Sequence, residues 1–273
     1  MNNDQNENII WLKTKQIRKL GWRLISLIII MLFLIFDLIL IINYPATFII
    51  ADVKNATERL AIYYSYFTTQ TNYLVLAYLF AFLFESKIKE NSKLSFYILL
   101  SITIYITITM LVFWIGIITN SNERNKYGTD FYPWFKTIIL DLIMPIIMIL
   151  NFVLSCGHDF YDLKKHHQLY LWLILFYPCF YLVAVIVRGV LRTKQEAYPI
   201  ASRYPYFFLD YQQQGIISLV GAIIGLIIVA ISLQYFYLWI NNKKYYKLNK
   251  KQNNPPIATH FTPIITYPYR MNH

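Results

Sequence analysis

Apolar residues fall in six long runs along this chain: Gly21–Ile42, Ile62–Phe84, Leu94–Thr119, Phe135–Cys156, Leu169–Val190 and Gly215–Ile240. At about 1.5 Å per residue, each run can cross roughly 30 Å of hydrocarbon. A backbone without water must satisfy its own hydrogen bonds, so the pattern predicts six transmembrane helices. The second run is the least uniform. Its first third, Tyr63-Tyr64-Ser65-Tyr66-Phe67-Thr68-Thr69-Gln70-Thr71-Asn72-Tyr73, is loaded with hydroxyls and amides. On a 3.6-residue period Tyr64, Thr68, Thr71 and Asn72 share one face. Lipid has no use for that face, so it is expected to look inward.

Composition agrees with the pattern. The 273 residues are 57% hydrophobic and 14% charged, against roughly 25% charged in soluble domains. The expected fold is an all-α integral membrane protein, one bundle of six helices. The chain divides into a basic N-terminus (1–20), the six-helix domain (21–240) and a basic tail (241–273), expected to be mobile. The first run follows Lys13, Lys15, Arg18, Lys19 and Arg23. It is longer than the apolar part of a cleaved signal peptide, so a retained helix is expected.

Charge sets the orientation. With both termini cytoplasmic, 16 of the 25 Lys and Arg residues lie on inner segments and nine on outer ones. That bias favours both termini inside. The net charge of +11 then follows from basic residues collecting beside anionic lipid. No basic and aromatic residues interleave as nucleic-acid binding would want, so membrane lipids are the expected partners, with no nucleic acid. Abundant Ile, Asn, Lys and Tyr match an AT-rich genome, and a bacterial plasma membrane is the expected location. The 24 tyrosines therefore do not by themselves mark a site. Cys156 and Cys179 lie at different depths and lack metal-ligand spacing; no disulfide, metal or cofactor is expected. Asn55-Ala56-Thr57 fits a glycosylation triplet, a pattern common by chance. Gly221-Ala222-Ile223-Ile224-Gly225 spaces small residues for close helix approach, with packing inside the bundle the expected use.

Candidate chemistry comes from charge within the runs. An ionisable group there costs about 2.5–3.5 kcal/mol on insertion scales and asks for a partner. Asp37, Asp141 and Arg188 are such groups. With odd spans running outward, Thr68, Asp141 and Asp37 share a depth of about 8–9 Å below the outer boundary. Arg188 lies slightly higher, on a stripe with Tyr177 and Tyr181. Four helices thus put polar groups into one layer, expected to be an outward-opening site. Blander roles stand beside this. Asp37 and Arg188 are suited to neutralise one another, and Thr68 to bond its i−4 carbonyl. Pro145 frees the Asp141 carbonyl and predicts a kink. The loop from Tyr198-Pro199 through Tyr204-Pro205-Tyr206-Phe207-Phe208-Leu209-Asp210-Tyr211 is expected to lie at the interface or fold over the bundle mouth. Asp210 is positioned there to meet Arg188, Arg192 or Arg203.

Several of these stretches resemble the androgen-induced family of six-span membrane proteins and its bacterial relatives. They are Tyr66-Phe67-Thr68-Thr69-Gln70-Thr71-Asn72-Tyr73-Leu74-Val75, Leu140-Asp141-Leu142-Ile143-Met144-Pro145, Tyr177-Pro178 through Tyr181 to Arg188-Gly189, and Tyr204 to Asp210. The resemblance runs in the same order from about Trp22 to Ile240. It implies an intramembrane hydrolase of fatty-acid esters of hydroxy fatty acids, with a threonine nucleophile in the second span and a histidine in the fourth. Thr68 matches the threonine; Asp141 stands where the histidine is expected. A hydroxyl attacks well only with a base to take its proton, and a carboxylate starts near pKa 3.9, below imidazole at ~6.5. The implied catalytic pair is Thr68 and Asp141, and Asp37, Tyr64, Thr71, Asn72, Tyr177, Tyr181, Arg188 and Asp210 are expected to line the pocket. A non-catalytic lipid- or partner-binding relative is the alternative. A solute-binding transport subunit is another, disfavoured because Arg23 to Ile42 contains no alanine for a docking face.

Overall fold

The computed structural model describes residues 2–44, 53–84, 93–125, 131–194 and 202–251, and every regular element among them is helical. The tail expected to be mobile from 241 is instead helical through Lys251, with Asn241 and Asn242 buried; its remainder and the Tyr198-Pro199 part of the loop lie outside the described residues. Five helices are long and apolar enough to cross a membrane: Leu20–Asn43, Lys93–Thr119, Phe131–Ser155, Leu163–Thr193 and Ile216–Lys250. The chain is therefore all-α, with the helices of a multi-pass membrane protein.

The first helix, α1 (Asn2–Asn43), runs unbroken through the position 20 boundary and measures about 63 Å. Its last carbonyls are collected by a cation from the next element, α2 (Ala56–Tyr63). Arg59 is buried and donates to Ile41 O at 2.7 Å, Ile42 O at 2.6 Å and Val53 O at 3.0 Å. Orphan carbonyls and the negative end of the helix dipole make this a favourable place for a guanidinium. The expected glycosylation triplet has a structural use, because the Asn55 side chain caps α2 by accepting from Thr57 N at 2.9 Å.

The second apolar run does not begin as one helix at Ile62. The chain turns over Tyr64–Tyr66, and α3 spans Phe67–Phe84. Side chains satisfy the carbonyls exposed by that break. Ser65 Oγ donates to Ile62 O at 2.6 Å, Gln70 Nε2 to Tyr64 O at 2.8 Å, and Tyr181 OH to Ser65 O at 2.8 Å. Tyr64 consequently leaves the Thr68 face and stays 42% exposed, beside Tyr73.

At the centre stands α4 (Lys93–Thr119), buried on every side from Ile102 to Thr109. It packs against α3 and also against α7 (Met144–Ser155) and α11 (Ile216–Lys251). Its threonines survive burial by bonding their own helix, with Thr103 Oγ1 to Leu99 O at 2.7 Å and Thr107 Oγ1 to Thr103 O at 2.6 Å. A short α5 (Ser121–Asn125) follows it. The fourth long helix starts as α6 (Phe131–Ile138), widens into a π-helical turn over Ile139–Ile143, and continues as α7. The fifth starts as α8 (Leu163–Lys165), has a second π-helical turn over His166–Tyr170, and continues as α9 (Leu171–Thr193). A 3-10 turn over Phe207–Leu209 and the one-turn α10 (Tyr211–Gln214) lead into α11.

One expectation about packing is corrected. Among the described residues, nothing lies within 4 Å of a Cβ built on Gly221 or Gly225, so they do not use this small-residue face inside the bundle. The adjacent Ile224 and Ile228 are exposed too, so the stripe lies on the outside of α11. Glycine spacing is fitted to close approach, but it does not say on which side of its helix a neighbour stands. Cys156 and Cys179 are both free.

Candidate functional site

Thr68 sits in the first turn of α3 because of the break at Tyr64–Tyr66. Its N–H, without an intrahelical partner, donates to the Tyr206 hydroxyl at 3.4 Å, and its Oγ1 lies 3.5 Å from the same hydroxyl. The expected i−4 bond is not made, since Tyr64 O is taken by Gln70. The Thr68 carbonyl is held by its own helix, with Thr71 Oγ1 at 3.0 Å and Asn72 Nδ2 at 2.9 Å. Asn72 Nδ2 also reaches Leu140 O at 3.4 Å, tying α3 to the turn that carries Asp141. Thr71 and Asn72 are fully buried, as their face predicted.

Asp141 lies within the π-helical turn and is only 5% exposed. Pro145 cannot donate to the Asp141 carbonyl; Trp114 Nε1 on α4 takes that place at 3.0 Å. This donor removes the cost of the unmade backbone bond, and the residues around it stay helical in the wider form. The carboxyl faces the Thr68 side chain and feels the Lys136 charge. No hydrogen bond closes on Oδ1, and none closes on Asn72 Oδ1.

Tyr206 joins this cluster from the far side of the sequence. Its ring stacks on Phe208 at 5.3 Å and meets Tyr66 edge-on at 5.6 Å. The loop that carries it is seated on α9, where Tyr204 lies so close to Gly189 that a Cβ there would be 2.0 Å from the ring. Withdrawal of the Tyr206 phenol from solvent pushes its pKa up to about 12, partly offset by its bonds to Thr68. It therefore keeps its proton at neutral pH and remains a donor.

The remaining predicted residues separate into neighbouring groups rather than lining one hollow. Asp37, fully buried, does not meet Arg188. Its Oδ1 accepts from Lys136 Nζ at 2.9 Å and Tyr132 OH at 2.6 Å. Its Oδ2 faces the Tyr63 hydroxyl without a closed hydrogen bond. Tyr177 OH donates to Gln70 Oε1 at 2.7 Å, and Tyr181 supports Ser65 as described. Arg188 Nη1 donates to Arg203 O at 3.1 Å and Ser202 O at 3.4 Å, fixing the loop to α9. Arg192 pairs with both carboxyl oxygens of Glu58 on α2. Asp210 does not pair with these arginines; its Oδ1 caps α10 by accepting from Gln212 N and Gln213 N, each at 3.2 Å. Lys136, Trp114, Gln70 and Tyr206 are the residues that sequence reasoning left out of the site.

Beside the cluster lies an apolar cleft between α4, α9 and α11. It is lined by Ile108, Thr109 and Val112 of α4, Pro178, Cys179 and Leu182 of α9, Leu226, Ile227 and Ala230 of α11, and Phe67, Tyr206, Phe208 and Leu209. Tyr206 thus lines the cleft and also reaches Thr68 through its hydroxyl.

A second polar cluster lies about 25 Å away along α4, judged from Tyr97 to Trp114. There His166 Nε2 meets Gln234 Oε1 at 3.1 Å, both buried, and Tyr97 stacks on Tyr170 at 3.7 Å. Asn242 brackets Tyr161, accepting from its N at 3.1 Å and donating to its O at 2.8 Å. Asn241 Oδ1 accepts from Gly157 N at 2.7 Å. His166 and His167 are committed at this end, so neither serves Thr68.

Comparison of the chain with protein-family models, curated proteins and solved structures gives no match. The class stands on the helices: an all-α, multi-pass membrane protein with a buried polar cluster next to an apolar cleft.

Proposed function

We propose that this is a six-span protein of a bacterial plasma membrane, both termini cytoplasmic, that binds a lipid ester and hydrolyses it through Thr68. The sixth crossing is α3, whose 18 residues measure about 27 Å. The 16-to-nine distribution of basic residues supports the orientation. The motif resemblance supports the reaction class. One observation carries the reading: the Thr68 hydroxyl faces a carboxyl that is 95% withdrawn from solvent and has an oxygen without a partner. A buried carboxyl with an oxygen left unbonded is costly, and inside a membrane bundle such a group marks a functional-site candidate. Asp141 takes the Thr68 proton, and the adjoining cleft takes the acyl chain.

Purified full-length protein is expected to release fatty acid from a long-chain ester, followed by mass spectrometry. Thr68→Ala should lower that rate by on the order of 10³-fold or more, with thermal stability retained. Cleavage undiminished in Thr68→Ala would remove the reading. A non-catalytic lipid-binding role is the second reading, favoured by Phe67 and Tyr206 standing between Thr68 and the cleft. Co-purifying lipid without turnover is its expected signature.

A further inference from the structure

We infer that Tyr206 is a catalytic residue of the Thr68 site, its phenol holding the ester carbonyl oxygen that becomes negative as Thr68 attacks. This rests on the hydrolase reading above. The position is fitted to the role. The Tyr206 hydroxyl lies 3.5 Å from Thr68 Oγ1 and already accepts from Thr68 N, leaving its own proton to donate. Tyr206 also lines the apolar cleft, so a chain bound there lies beside the residue that bonds Thr68. Asp141, whose Oδ1 lacks a hydrogen bond, also lies near the Thr68 side chain. Base and oxyanion donor thus reach the nucleophile from a helix and a loop. Stacking on Phe208, edge contact with Tyr66 and the Tyr204–Gly189 seat hold the phenol before substrate binds. Such pre-set donors are effective because little reorganisation is needed as charge develops.

The step balances with no other reactant. Thr68 Oγ1 bonds to the carbonyl carbon as its proton moves to the Asp141 carboxylate. The carbonyl π pair moves to oxygen, where the Tyr206 O–H binds it. Collapse re-forms the carbonyl and breaks the C–O bond to the alcohol, which leaves with the proton from Asp141. Water then gives its proton to Asp141 and attacks the acyl-Thr68 ester through the same oxyanion; as the bond to Thr68 Oγ1 breaks, Asp141 returns that proton to Thr68 and the acid leaves.

The test is Tyr206→Phe in the full chain, which keeps the ring at the cleft and removes only the hydroxyl. With a long-chain p-nitrophenyl ester as the probe, kcat should fall by about 10²–10³-fold, with KM within about threefold. Labelling of Thr68 by a long-chain alkyl fluorophosphonate, located by peptide mass, should slow in parallel. Wild-type kcat in Tyr206→Phe overturns the role of Tyr206 while Thr68 labelling leaves the hydrolase reading standing. Absence of both cleavage and Thr68 labelling in the wild type overturns the two together. Should Tyr206→Phe not fold, difluorotyrosine incorporated at position 206 keeps the shape and acidifies the phenol. The donor is present below the phenol pKa and lost above it, so activity should then fall at lower pH than in the wild type. An unmoved alkaline limb overturns the proposal.

Discussion

At the His166 end, buried amides close on backbone: Asn241 and Asn242 hold the 157–161 turn, and Tyr97, Tyr170 and Tyr161 fill the space with stacked or edge-on rings. At the Thr68 end, two buried carboxylates share surroundings with Lys136, and Asp141 keeps an oxygen without a partner. Both ends contain a π-helical turn and buried polar atoms without partners, including His166 Nδ1 and Gln234 Nε2. The difference is charge beside space. Neutral amides and an imidazole are stabilised by a few bonds in a dry, ring-filled setting. A carboxylate needs more, and here it stands one side chain away from an apolar cleft. A polar layer in a membrane bundle is therefore a pointer to chemistry only when its demand for partners is left unmet next to a cavity.

Gly189→Ala should have the largest structural effect, because the new Cβ would lie 2.0 Å from the Tyr204 ring and must push the loop off α9. A loss of about 3 kcal/mol is expected, together with loss of ester cleavage, read by thermal unfolding in detergent and by turnover. Retained turnover would mean that the loop's seat does not matter to the Thr68 end. Asn242→Ala leaves Tyr161 N and O without their bracket and should cost about 2 kcal/mol. Its turnover at temperatures where it stays folded should match the wild type. If cleavage fails first, the two ends are coupled. Gly221→Ala meets nothing among the described residues and should change stability by less than about 0.5 kcal/mol; a larger loss would show that a second helix covers that face.

Much of the helical frame was legible in the sequence, because long apolar runs leave the backbone no other solution. The break before α3 was not: Tyr-Ser-Tyr contains no breaker, and the bonds that make the turn stable come from Gln70 and from Tyr181, 116 positions away from Ser65. Depth arithmetic did not put Asp37 beside the right cation. Counting residues along a helix gives height, whereas azimuth depends on packing, and Lys136 stood nearer than Arg188. Tyr206 was read as part of an aromatic loop, since no local pattern ties it to a hydroxyl 138 positions earlier.

The widened turn at Ile139–Ile143 has a consequence for bearing as well as for bond pattern. One added residue displaces everything after it by about 100° around the helix axis. Tyr132 and Lys136 before it look toward α1, while Met144, Met148 and Phe152 after it are buried in the bundle against α4. On an unbroken α-helix Asp141 would point about 140° away from Lys136; the slackened coil swings the two back toward one side. A single rod thereby serves two neighbours at once, and its changeover falls on the residue that faces Thr68.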